Sequence, residues 1–139
     1  MGAWGLGSFE NDGSMDWLME FSENGPAVAA DILDATDDGI ADGYIESDVG
    51  GGVVALAEVL AASNGKPNPA LVDKIATAVD QHKTALLAVD AVQTRTVTAL
   101  DAILASSETS ELYDLWHEAG EFDAWSAQVL ELKSRLVAG

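Results

Sequence analysis

Apolar residues recur along this chain at spacings of three and four, and nowhere alternate with polar ones long enough to make a strand. The cleanest run is the last one. Phe122, Trp125, Val129, Leu132 and Leu136 fall on one helical face. Glu121 and Asp123 stand in its first turn and Lys133 and Arg135 in its last, so both ends complement the helix dipole. Before it, Leu112, Leu115 and Trp116 define a short helix that stops at Gly120.

The same pattern places helices further upstream. Asn11-Asp12 or Ser14 caps a first helix through about Glu23, whose apolar side carries Met15, Trp17, Leu18 and Phe21. Asn24-Gly25-Pro26 closes it and starts a second helix, with proline in the favoured first turn. That second helix carries Val28, Ile32 and Ala35 and ends at Asp37-Asp38-Gly39. Ile40 to Ile45, interrupted by Gly43, reads as an extended connection. A third helix runs from Ser47 or Asp48 to Ser63, where Asn64-Gly65 stops it. Its stripe is Val49, Val53, Leu56 and Leu60, while glycines and alanines cover its other faces. Interior glycines cost about 1 kcal/mol each relative to alanine, so Gly50-Gly51-Gly52 predicts close approach by neighbours on more than one side. This should be the central helix. Asn68-Pro69 starts a fourth helix with Ile75 and Val79, ending near Gln81-His82. A fifth is expected over Thr84 to Ala105, with Val89, Val92, Thr96, Leu100 and Ile103 inward. The expected fold is all-α, one domain of about seven helices over residues 1–139.

The first residues follow a different rule. Met1-Gly-Ala-Trp4-Gly-Leu-Gly7-Ser-Phe9 separates large apolar side chains with glycine before any helical period begins. Burial of Trp4 and Phe9 would offset the entropy of ordering such a segment, so an ordered, docked arm is expected.

Composition then limits the function. The hydrophobic fraction of 48% excludes a disordered chain despite the charge. Without cysteine there is no disulfide, thiol nucleophile or thiolate metal site. No stretch approaches the roughly 20 apolar residues of a membrane span, and no basic-then-apolar opening reads as a signal peptide; a cytoplasmic protein is expected. Asp and Glu number 24 against 6 Lys and Arg, a net charge of -18. Such a surface disfavours nucleic acid and anionic lipid and favours a basic protein partner, unless it is only a solvated coat.

Met1-Gly-Ala-Trp4-Gly, with Gly7, Phe9, Asn11-Asp12 and Asp16-Trp17, resembles the opening of a small bacterial family, domain of unknown function 4259. Ala57-Glu58-Val59 is similar to the middle of that family. Ser110-Glu111-Leu112, Leu115-Trp116, Trp125 and Leu132 to Leu136 resemble its end. The likeness spans nearly the whole chain and implies its fold and boundaries, but no activity. The sequence departs at Gly50-Gly51-Gly52, where alanines are expected.

Candidate chemistry is sparse. Glu58 lies in the helix expected to be most buried, and Arg95 has no acid three or four residues away. A charge in an apolar setting needs a partner, so the two are expected to pair across helices, the alternative being that each faces water. In a pocket beneath the arm, Glu58 or His117 would be the acid–base group of a divergent enzyme. His117 otherwise reads as a surface residue at a helix end, and His82 as a residue of a helix junction. Asp34, Thr36, Asp38 and Gly39 fit the start of a calcium loop. Its twelfth position, however, is Ile45, with Glu46 one place late, so a solvated acidic connection fits better. The helical spacing of Trp17, Trp116 and Trp125 argues for core positions. No catalytic, cofactor or metal motif is present, so the leading expectation is a non-enzymatic interaction module.

Overall fold

The computed structural model describes residues 11–137, and the pattern resolves there into seven helices. They are α1 (Asp12–Asn24), α2 (Pro26–Asp42), α3 (Ser47–Ser63), α4 (Val72–Leu87), α5 (Val92–Ile103), α6 (Glu111–Glu118) and α7 (Phe122–Val137). No strand occurs among the described residues. A lone parallel bridge joins Ile45 to Ser110. No helix of the described residues is long and apolar enough to cross a membrane. The expected arm, with Trp4 and Phe9, lies outside the described residues.

Helix α3 is the axis of the bundle. It packs against each of the other six helices, and 13 of its 17 residues are buried. Glycine makes this possible. A Cβ on Gly50 would sit 2.7 Å from Leu112 of α6, on Gly51 2.9 Å from the Asn11 side chain, and on Gly52 2.8 Å from Ile32 of α2. Three successive positions thus admit three different neighbours. Leu56, Leu60, Leu100, Ile103, Leu132 and Leu136 fill the interior at 0–1% exposure. Each such side chain contributes about 1.5–3 kcal/mol relative to an exposed one. Trp17, Trp116 and Trp125 are core residues at 4–5% exposure, and Trp17 stacks on Phe21 with ring centroids 5.0 Å apart.

The caps hold the helices in register. Asn11 caps α1, its Oδ1 accepting the Ser14 N–H at 2.8 Å. The Ser14 hydroxyl donates to the Gly51 carbonyl at 2.7 Å, which ties α1 to α3. Asp12 stands exposed in the first turn, where its charge favours the positive end of α1. Ser110 caps α6 through the Tyr113 N–H. The start of α3 has no cap from its own N-cap residue; Glu111 of α6 accepts the Ser47 N–H at 2.7 Å instead.

Three local expectations are corrected. Residues Ile40 to Asp42 are helical, because α2 ends at Gly43 and not at Gly39. Gly43 takes φ 86°, and its N–H returns to the carbonyls of Gly39 and Ile40. Gly39 instead lets the chain fold back, since a Cβ there would lie 2.9 Å from the Tyr44 carbonyl oxygen. The helix expected over Thr84 to Ala105 is divided: α4 continues to Leu87, and α5 starts at Val92 after a turn in which Ala91 adopts φ 53°. Burial of Leu86 keeps that last turn attached to the core. Pro69 lies in a turn before α4, where the Asn68 side chain accepts the Ala70 N–H at 3.0 Å.

Candidate functional site

Glu58 is buried at 1% exposure, as its setting in α3 requires, but Arg95 is not its partner. Its Oε1 receives a hydrogen bond from Arg135 Nη2 of α7 at 2.5 Å. The same guanidinium donates to Glu131 at 2.8 Å and to the Lys66 carbonyl at 3.2 Å. Burial works to lower the Arg135 pKa; its hydrogen bonds to Glu131 and Glu58 outweigh that and raise it. Glu58 Oε2 is buried without a hydrogen-bond partner among the described residues. The carboxylate therefore joins α3 to α7 and presents no open face there to a substrate.

Arg95 reaches the other way. Its Nη2 contacts Asp34 Oδ1 and Asp37 Oδ2 of α2, each at 2.9 Å. These hydrogen bonds raise its pKa against a smaller desolvation effect. The expected Glu58–Arg95 pair fails for a geometric reason: on α5, Thr96 is buried while Arg95 is turned beside α2. The calcium-loop alternative fails with it. Residues 34–42 are helical, so their carboxylates cannot wrap an ion as a loop does. Among the described residues, no group of three His, Asp or Glu could hold a metal.

The histidines take structural places. His82 Nε2 donates to the Ser22 carbonyl at 3.1 Å, and its ring meets Phe21 edge-on, 5.2 Å between centroids. It fastens α4 to the end of α1. His117 is exposed on α6, beside Tyr113 and Phe122.

A concave site lies around the segment that joins α2 to α3. A cleft of about 280 Å3 opens where α2 and α5 end side by side. Gly39 and Ile40 form one wall, and Ala102 and Ala105 the other. Gly43, Tyr44, Ile45 and Thr109 close it. Its floor is fixed by the bridge: the Ile45 N–H donates to the Thr109 carbonyl at 2.9 Å, and the Glu111 N–H to the Ile45 carbonyl at 3.0 Å. Ile40 and Tyr44 stand at its rim, 45% and 44% exposed. Desolvation, then the carboxylates of Glu111, Asp114 and Glu46, push the Tyr44 phenol above its ordinary value. The lining is apolar and its surroundings are negative. The signal in the sequence is Ile40, Tyr44 and Ile45, three large side chains in an otherwise acidic stretch.

A family model described as domain of unknown function (DUF4259) matches residues 2–128. No curated protein and no solved structure matches the chain.

Proposed function

The chain belongs to the DUF4259 family, and from that premise and this geometry we propose a non-enzymatic domain that binds a basic protein partner in the cytoplasm. The observation that carries the proposal is how the charges are distributed. Of the six basic residues, Arg95, Lys133 and Arg135 are bound to carboxylates across helices, and Lys74 lies against the Met15 sulfur. Meanwhile Asp31, Asp38, Asp42, Glu46, Glu108 and Asp123 are exposed. The net negative charge is thus displayed outward. A basic surface would be steered to it and would displace its counterions, whereas nucleic acid and anionic lipid would be repelled. A factor that masks a basic toxin, in the manner of an immunity protein, is one form of such a domain.

The test is affinity capture by the immobilised protein at low and at moderate salt. Retention of a basic protein, weakening as salt rises, is expected. Failure to retain any basic protein at either salt would remove the reading.

A further inference from the structure

The cleft between the ends of α2 and α5 has an electrostatic feature that its apolar walls alone do not explain. Two helix C-termini converge on it, and each carries the negative end of a helix dipole. Lysine, arginine or histidine commonly complements that end. Here the last turns of both helices hold no basic residue. They hold Asp42 and Asp101 instead, and among the described residues only Asp101 is answered, by Lys133 at 2.6 Å. Glu46, Glu108 and Asp114 follow in the adjoining segments, and no lysine or arginine occurs in 38–46 or 101–114. The position normally filled by a cation of the same chain is left for one from outside.

The shape selects which cation. At about 280 Å3 the cleft falls just below the roughly 300–1,000 Å3 of small-molecule sites, a size suited to one long side chain. Its walls of Ile40, Ala102 and Ala105 suit a methylene stem. At the rim, the half-exposed Tyr44 ring lies within the field of the Glu46, Glu111 and Asp114 carboxylates. A planar, weakly hydrated guanidinium stacks on such a ring and donates to carboxylates from its edges, better than an ammonium does. Resting on the basic-partner reading above, we propose that this cleft receives an arginine side chain of that partner. Its stem lies between Ile40 and Ala105 and its guanidinium against Tyr44.

The probe is a short, capped peptide of alternating arginine and alanine, compared with matched peptides carrying lysine or the neutral isostere citrulline. Binding is followed by amide chemical shifts of the full chain. The arginine peptide should move the amides of Gly39, Gly43, Tyr44, Ile45 and Thr109, and the citrulline peptide should move none. Ala105→Trp fills the cleft without changing charge and should weaken the arginine peptide by roughly tenfold or more. Tyr44→Ala, at an exposed ring, should do the same and serves if the first variant does not fold. Equal binding of the lysine peptide, or undiminished binding by a folded Ala105→Trp or Tyr44→Ala variant with shifts elsewhere, would overturn the arginine cleft and leave the basic-partner reading standing. If no arginine peptide binds while a basic protein is still captured, the cleft proposal alone falls. If neither binds, both fall.

Discussion

Glu58 and Arg135, 77 residues apart in sequence, meet at 2.5 Å between α3 and α7. Their side chains are 1% and 15% exposed. Removing one member of a buried pair leaves an uncompensated charge, which typically costs about 3–5 kcal/mol. Arg135→Leu is therefore expected to lower thermal stability severely, and Glu58→Leu in the same chain to restore much of it. Arg95→Gln should cost no more than about 1 kcal/mol, because Asp34 and Asp37 are 69% and 61% exposed and already solvated. Denaturant melts of the four proteins decide this; equal losses at Arg95 and Arg135 would contradict the assignment.

The three successive glycines of α3 should not respond alike to alanine. At Gly50 and Gly52 the added methyl meets the far ends of Leu112 and Ile32, which can shift. The gain in helix propensity, about 1 kcal/mol, then offsets much of the crowding. At Gly51 the methyl meets the Asn11 oxygen at 2.9 Å and the Ser14 backbone nitrogen at 3.2 Å, the two atoms that form the α1 cap. Gly51→Ala should destabilise by about 1–3 kcal/mol, and more than either neighbour. Comparable midpoints for all three variants would count against a tight α1–α3 contact.

Ala91 precedes α5 at φ 53°, a left-handed conformation that costs a residue with a Cβ about 1–2 kcal/mol. Glycine adopts it freely but loses more entropy on folding. The balance predicts that Ala91→Gly stabilises by up to about 1 kcal/mol, while Ala91→Val, branched at Cβ, destabilises. A melting temperature that falls for glycine would show that the turn is not strained.

Tyr44 offers a pH readout of the cleft. With Tyr113→Phe it is the remaining tyrosine of the two, and its phenolate absorbance should titrate above 10.0 in the folded protein. Because the folded state then holds the proton more tightly than the unfolded one, this contribution to stability is complete below pH 10 and lost as pH rises through the folded pKa. Asp114→Asn or added salt should bring the midpoint down by weakening the carboxylate field. A midpoint insensitive to both would place those charges too far away to matter.

Much of this architecture was legible in the chain. The period of Phe122, Trp125, Val129, Leu132 and Leu136 specified α7, because a helix can bury only a stripe and the stripe is written in the spacing. The burial of α3, Glu58 included, was equally readable, and the start of α1 was narrowed to Asn11-Asp12 or Ser14, of which Asn11 is the cap. The end of α4 was not readable, for it carries neither glycine nor proline, and packing of Leu86 sets it.

What the sequence by itself determined, then, is that the fold is all-helical, which helix is innermost, and that the chain is strongly acidic. Tertiary structure decided the partners. Glu58 had two arginines to choose from, and the docking of α7 against α3 selected Arg135 while α2 took Arg95. It also decided the cleft, because Gly39, Tyr44, Ala105 and Thr109 acquire a common surface only once α2 and α5 end side by side. Helical period is a short-range property carried by neighbouring residues. Pairing and concavity arise between distant segments, and only the packed bundle brings those together.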